Sequence, residues 1–290
     1  MAIASSWLLA IEIPWNPNIG EIAGFTLTWH GLFTAAGILA GVQLALWVAR
    51  RVDFDEDIAY TLALIGVPCG IIGARLLFVV EHWGYYSANL SETLAITEGG
   101  ISIWGGILGG FGGPLLFGLW RRYPMRRAFD IASFGMIAGM GIGRVGDLIN
   151  GEHIARATDL PWGVIYTHPA SPAFAHSLTV GAHHPATTYE MLGNFAILGV
   201  LFYVFTGPFR LRPGMTFMAF LALYAVMRFF LSELRLDSQT TFVPGLTMPQ
   251  LVSASVLLVA VPAAVVLWRH PARDPGDETP HPPGRVEVRA

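Results

Sequence analysis

Read for its apolar and polar positions, the chain is a series of long hydrophobic blocks separated by short polar breaks. Seven blocks approach the ~20 residues that carry a helix through bilayer hydrocarbon. They run at about 27–49, 58–80, 101–120, 129–149, 188–206, 214–233 and 246–268. The fifth is short, and the sixth and seventh contain polar residues. The pattern predicts an all-α integral membrane protein with about seven transmembrane helices. Residues 1–26 make a poor signal peptide, since no basic residue leads the short apolar run and Glu12 and Pro14 follow soon after. That stretch reads as an interfacial segment. The Pro-rich, polar stretch 269–290 reads as a disordered tail.

The arginines between blocks set an orientation. Arg50 and Arg51, then Arg121, Arg122, Arg126 and Arg127, then Arg210 and Arg212, then Arg269 and Arg273 lie in alternate breaks, and the intervening loops hold only Arg156 and Arg235. Positive residues favour the cytoplasmic side, so the N-terminus is expected outside and the C-terminus in the cytoplasm. On this reading residues 27–268 form one seven-span domain with two long outward loops, 81–100 and 150–187. The first is amphipathic and rich in interfacial aromatics, as in a segment lying flat on the membrane. The second is polar and holds His153, Arg156, Asp159, Trp162, His168, His176, His183 and His184. Long loops of this kind often carry function.

Composition agrees with a membrane protein: 53% of residues are hydrophobic and 13% charged, against ~25% charged in soluble domains. A nucleic-acid partner, a disordered chain and a disulfide framework are excluded, the last because Cys69 is the single cysteine. No nucleotide-binding fingerprint occurs, so no cofactor is expected. The loop histidines fit no zinc spacing and are expected to be solvated, with no metal. Glycines four apart, as in Gly66/Gly70, Gly105/Gly109/Gly113 and Gly135/Gly139/Gly143, read mainly as close helix packing.

The sharpest chemistry is a set of ionisable residues inside the apolar blocks. Arg75, Arg144 and Arg228 each cost about 2.5–3.5 kcal/mol at a span centre even on the lenient insertion scale. With spans alternating in direction, all three fall in the outer half of their helices. His30, Trp104, Tyr189 and Glu190 lie near the outer ends of theirs. The polar set thus gathers at the depth of a phospholipid phosphate. Guanidinium forks bind phosphate in bidentate fashion, so arginines converging there would clamp one. The other reading is that they pair with Asp147, Glu190 and Glu233 and lock the bundle. Arg144 and Asp147 are helix neighbours at i, i+3. On a regular sixth helix Arg228, Ser232 and Arg235 would share a face, with Glu233 turned away. Asp130, at the start of its span, is expected to act structurally near a helix N-terminus.

At these residues the sequence resembles the prolipoprotein diacylglyceryl transferase family. The block GRVGDLINGEHIARATDLPWGVIY at 143–166 is similar to that family's signature region. HPATTYE at 184–190 resembles its His-Pro-x-x-x-Tyr-Glu motif, and YAVMRFFLSELR at 224–235 its Arg-bearing sixth span. GARLLFVVEHW and GGISIWGGILGG match around the second span and the start of the third. The resemblance implies a seven-span enzyme of the bacterial inner membrane with its active site open to the outer leaflet. It would move the diacylglyceryl group of phosphatidylglycerol to the lipobox cysteine thiol of a secreted prolipoprotein, releasing glycerol 1-phosphate. Its implied partners are therefore phosphatidylglycerol, the lipobox-bearing signal peptide and the bilayer. By position Arg144 and Arg228 match the family's essential arginines, and Asn150 and Glu152 lie in its signature loop. Arg75, Trp104, Asp147, Tyr189, Glu190, Glu233 and Arg235 complete the expected substrate-binding set.

Several positions depart from the family pattern. Trp104 stands where the family has a His, proposed there as the base for the thiol; His30 replaces a Tyr, and Asp147 an Asn. Ala155 replaces a Gly, and Ser232 a Glu with Glu233 one place on. His30 and His153 are the expected substitutes for the base, because an imidazole near pKa 6.5 suits thiol deprotonation. Two other readings stay open at this point: a diverged paralogue using the same clamp on another lipid or acceptor, and a non-catalytic anion- or lipid-binding membrane protein.

Overall fold

The structure is a computed structural model that describes residues 10–22, 25–94, 100–238, 240–241 and 243–269. The first nine residues of the expected interfacial segment lie outside the described residues. So does the expected tail, except for Arg269, which closes the last helix. The long helices are α1 (Trp29–Arg51), α2 (Glu56–Glu81), α4 (Ile103–Arg121), α5 (Met125–Asn150), α7 (Ala186–Thr206), α8 (Met215–Leu231) and α9 (Met248–Arg269). Shorter pieces are α3 (Trp83–Tyr86) and α6 (Phe174–Val180). Six of the long helices are long and apolar enough to span a membrane, and α8 is a shorter apolar one. The protein is an all-α, multi-pass membrane protein, with each predicted block on its own helix. The sixth helix stops at Leu231, short of the predicted 233. There the Ser232 hydroxyl donates back to the Arg228 carbonyl at 2.7 Å, a local bond of the kind that competes with a continuing helix.

Short strands accompany the helices: β1 (Ile11–Ile13), β2 (Asn18–Ile22), β3 (Phe25–Thr28) and β4 (Val164–Tyr166). β2 and β3 form an antiparallel hairpin, and β1 runs parallel to β4 with Ile11 opposite Val164. The described part of the expected interfacial segment is therefore one strand, β1, and most of the β2–β3 hairpin. Ile13, Val164, Tyr166 and Ala173 bury against one another, with Leu148 and Ile154 packed alongside.

The chain divides into two compact units: Asp53–Phe129 forms one, and α1 together with the segment from Asp130 through α9 forms the other. In the first, α2 and α4 approach backbone to backbone. A Cβ at Gly73 would strike the Gly105 carbonyl, and one at Gly109 the Cys69 carbonyl. In the second, Gly41 meets Gly135 and Gly37 meets Gly139 the same way, so the glycine stripes are mainly packing surfaces, with Gly143 facing open space. Asp130 also takes the expected structural role. Its carboxylate accepts from the backbone N–H groups of Gly214 (2.7 Å) and Phe217 (2.8 Å), capping the exposed donors at the start of α8.

Candidate active site

The polar residues of the second unit converge where α1 and α7 begin and where α5 and α8 end. Local structure explains how each arrives. Thr28 caps α1 by accepting from Gly31 N–H at 3.0 Å, which fixes the first turn carrying His30. Gly146 on α5 lets that turn come close: a Cβ there would lie 2.7 Å from both His30 Cα and the Trp29 carbonyl oxygen. α5 ends at Asn150, and Gly151 turns the chain in the left-handed region at φ 73°, its N–H bonded to the Asp147 carbonyl at 2.9 Å. A Cβ at Gly151 would strike Ser171 and the Tyr166 ring, so only glycine makes this turn here. The chain then doubles back and sets His153 beside Arg144.

A second backbone contact completes the cluster. Ala155 pairs with Arg235 in an antiparallel bridge, flanked by Arg156 N–H to the Leu234 carbonyl and Leu236 N–H to the Ile154 carbonyl. This pairing, and not a continued α8 face, brings Arg235 and Asp237 to His153. The shared helical face expected for Arg228, Ser232 and Arg235 fails because α8 has already ended.

At the centre lies Glu190, with its side chain 1% exposed. Its Oε1 accepts from Arg144 Nη2 at 2.8 Å and from the Tyr224 hydroxyl at 2.9 Å; its Oε2 accepts from Arg228 Nη1 at 3.3 Å. Arg144 also donates through Nη1 to Asp147 Oδ2 at 2.5 Å, the expected i, i+3 pair. The other Asp147 oxygen lies 2.5 Å from His30 Nδ1. His153 presents Nε2 to Arg144 Nη1 at 3.4 Å. Its Nδ1 lies between Asp237 Oδ2 (2.7 Å) and Arg235 Nη2 (2.6 Å). Arg235 also grips Asp237 in bidentate fashion, at 3.0 and 2.7 Å. Asp237, outside the spans, is held well below the usual carboxylate range by its bonds to His153 and Arg235, which outweigh its partial burial.

Guanidiniums and carboxylates balance here: Arg144, Arg228 and Arg235 against Asp147, Glu190 and Asp237. The arginines are therefore paired, yet not saturated. Among the described residues, Arg228 makes only its Nη1 bond to Glu190, so Nε and Nη2 have no protein partner. Its side chain is 16% exposed and that of Arg144 20%.

The remaining expected residues separate into groups. Asn150 donates to Glu152 at 2.9 Å, and its buried Oδ1 has no partner. The Tyr189 hydroxyl accepts from Trp162 Nε1 at 2.8 Å and lies 3.3 Å from His184 Nδ1. Glu233 is exposed, 3.8 Å from Arg156, and accepts from Gln250; it stays outside the Glu190 cluster. Arg75 and Trp104 belong to the other unit. There Arg75 is buried and donates to three carbonyls, Thr93 (2.9 Å) and Glu92 (2.6 Å) on the short 3₁₀ helix Leu90–Leu94, and Gly100 (2.9 Å) before α4. Trp104 lies half-exposed on the first turn of α4.

Two members were not expected from the sequence, Tyr224 and Asp237. Tyr224 precedes Arg228 by one helical turn, a spacing that could have flagged it. Asp237 has no such signal, because the 155–235 bridge alone brings it in. One further expectation needs correction: the loop histidines are not all solvated. His183 is 1% exposed within the β4 region, where its backbone pairs with Val164. Burial lowers its pKa to about 4, helped by the neighbouring His176. Among the described residues, no group of three or more His, Cys, Asp or Glu is placed to hold a metal ion.

Comparison with known proteins matches this architecture to one family. The family model described as prolipoprotein diacylglyceryl transferase matches residues 17–268. The chain is 34% identical over 270 residues to a protein of Gloeobacter violaceus named phosphatidylglycerol–prolipoprotein diacylglyceryl transferase, covering 91% of this chain and 96% of that one. Proteins of the same name are 32% identical in Thermosynechococcus vestitus, over 75% of this chain and 81% of theirs, and 31% identical in Clostridioides difficile, over 84% and 92%. With the match running from the hairpin through α9 and taking in the whole Glu190 cluster, the chain belongs to the prolipoprotein diacylglyceryl transferase family.

Proposed function

We propose that this protein transfers the diacylglyceryl group of phosphatidylglycerol to the lipobox cysteine thiol of secreted prolipoproteins and releases glycerol 1-phosphate. This is the first step of lipoprotein maturation, at the outer face of a bacterial inner membrane. The arginine distribution supports that orientation, with the Glu190 cluster at outer-leaflet depth. Family membership supports the reaction class. The observation that carries the reading is the arginine pair bracketing Glu190, in which Arg228 Nε and Nη2 have no partner among the described residues.

The chemistry suits such a site. The thiol sulfur attacks the glyceryl carbon, a C–S bond forms, and the C–O bond to phosphate breaks. The electron pair leaves on the phosphate oxygen. Charge grows on the departing phosphate, so guanidinium donors aimed at it act where the transition state most needs them. Glu190 holds Arg144 and Arg228 in place beforehand, so less reorganisation accompanies the reaction. His30 and His153 both border the cluster, so an imidazole is at hand for the thiol proton.

The test is reconstitution of the purified chain in vesicles with a lipobox peptide, following the thioether product by mass. Transfer is expected from vesicles containing phosphatidylglycerol. Replacing it with phosphatidylethanolamine should abolish transfer, and Arg228→Lys should reduce it sharply, because lysine keeps the charge and loses the fork. No transfer from phosphatidylglycerol by the wild-type chain would overturn the reading.

A further inference from the structure

Two histidines border the arginine cluster, and their surroundings are not equivalent. His153 Nδ1 faces a carboxylate oxygen of Asp237 and a guanidinium nitrogen of Arg235 at once. The first contact requires a proton on Nδ1 and the second requires a lone pair, so neither tautomer satisfies both. Its Nε2 faces the Arg144 guanidinium at 3.4 Å and lies 3.9 Å from Asp147 Oδ2. With Nδ1–H given to Asp237, the Nε2 lone pair is already taken by the Arg144 N–H.

His30 is held differently. Its sole hydrogen bond among the described residues is from Nδ1 to Asp147 Oδ1 at 2.5 Å, and a carboxylate there admits only the Nδ1–H tautomer. Nε2 then carries the lone pair and has no protein partner. The side chain is 49% exposed, against 22% for His153, so that lone pair is open to an incoming group. The charged groups around the ring are few: Asp147 and Arg144 on α5, and Glu152 just after it. Asp147 is itself clamped from the far side by Arg144 Nη1 at 2.5 Å, which fixes the carboxylate that fixes the imidazole. Gly146 permits the close approach that makes the bond possible.

We infer that His30 is the base that takes the proton from the acceptor thiol, with Asp147 as the residue that positions it, an inference that rests on the transfer reaction proposed above. The S–H proton passes to His30 Nε2 as the sulfur attacks the glyceryl carbon. The C–O bond breaks with its electrons going to phosphate, and the imidazolium later releases the proton to solvent or to the leaving phosphate. Charge accounting favours this placement. The three arginines and three carboxylates of the cluster cancel and Glu152 adds a further negative charge, so the phosphate enters a site with no surplus of positive charge. An imidazolium held by Asp147 supplies the compensating positive one as the leaving group forms.

The experiment uses the full chain in phosphatidylglycerol vesicles with a lipobox peptide, comparing wild type, His30→Gln and Asp147→Asn over pH 5–9. Wild type should show a kcat that rises with pH through a limb in the imidazole range. His30→Gln should lose that limb and about 10²–10⁴-fold in kcat, the usual contribution of a positioned acid–base group, with KM for the lipid nearly unchanged. Because His30 is half-exposed, this variant should fold, and a His30→Ala chain should regain part of its rate with added imidazole. Asp147→Asn should lower kcat and displace the limb, since an amide no longer selects the tautomer. If wild type transfers while His30→Gln keeps both rate and limb, the base assignment is overturned and the transfer reaction stands. Loss of the limb in His153→Gln but not in His30→Gln would overturn it too. Absence of transfer by wild type would instead fail the transfer reading itself.

Discussion

Replacing Glu190 with glutamine removes one negative charge from between two guanidiniums and leaves every atom position nearly filled. The carboxylate accepts three bonds, from Arg144, Tyr224 and Arg228, and is 1% exposed. The amide can keep Oε1 for Arg144 and Tyr224, but its NH2 then points at Arg228 Nη1, donor against donor. Removing one partner of a buried charge pair costs about 3–5 kcal/mol, because the surviving charge stays buried without compensation. At ~1.4 kcal/mol per decade this is about 10²–10⁴-fold in the unfolding equilibrium. Denaturation in mixed micelles, followed by far-UV circular dichroism, would measure it. Tyr224→Phe serves as the scale, since it deletes one hydrogen bond to a charged acceptor and should cost about 1.5–3 kcal/mol. A Glu190→Gln chain within about 0.5 kcal/mol of wild type would refute the claim that Glu190 organises the arginines.

Other consequences follow from single contacts. Gly146→Ala puts a methyl group against the His30 backbone and should lower transfer by at least about tenfold, at an overpacking cost of about 1–3 kcal/mol read in the same micelle assay. Asp130→Ala removes the carboxylate that accepts from the two backbone N–H groups at the start of α8 and should cost about 1–2 kcal/mol in that assay, without changing the pH profile of transfer. His183 is neutral in the folded protein, its pKa lowered to about 4 by burial, whereas the unfolded chain takes up a proton near 6.5. Stability is therefore fully present above pH ~6.5 and lost as pH falls toward 4, by about 1.4 kcal/mol per unit and about 3 kcal/mol in all. Amide exchange at Val164, whose N–H bonds the His183 carbonyl, should accelerate over that window and not above it.

The helices were readable because bilayer hydrocarbon imposes one length and one polarity on each span, and blocks such as 27–49 and 246–268 fall within two residues of α1 and α9. Depth was readable too. Alternating directions alone put His30, Arg144, Glu190 and Arg228 at one level, and they meet there. Partner choice was not. Arg75 looked like Arg144 in sequence, yet its guanidinium is taken by carbonyls of a loop whose path no periodicity reveals. Arg235 and Asp237 reach His153 through a bridge between segments about 80 residues apart, and β1 depends on the distant β4 in the same way. His30 and Asp147 were each conspicuous as a departure from the family pattern, but only the structure joins them by a hydrogen bond.

The most direct test of the central claim is complementation. The chain would be expressed in a bacterium depleted of its own diacylglyceryl transferase, with lipidation of a reporter prolipoprotein followed by gel shift and mass. Wild type should restore lipidation, while Arg144→Ala and Arg228→Ala, present in the membrane at equal level, should not. Full lipidation by the Arg228→Ala chain, or none by wild type at normal abundance, would contradict the account.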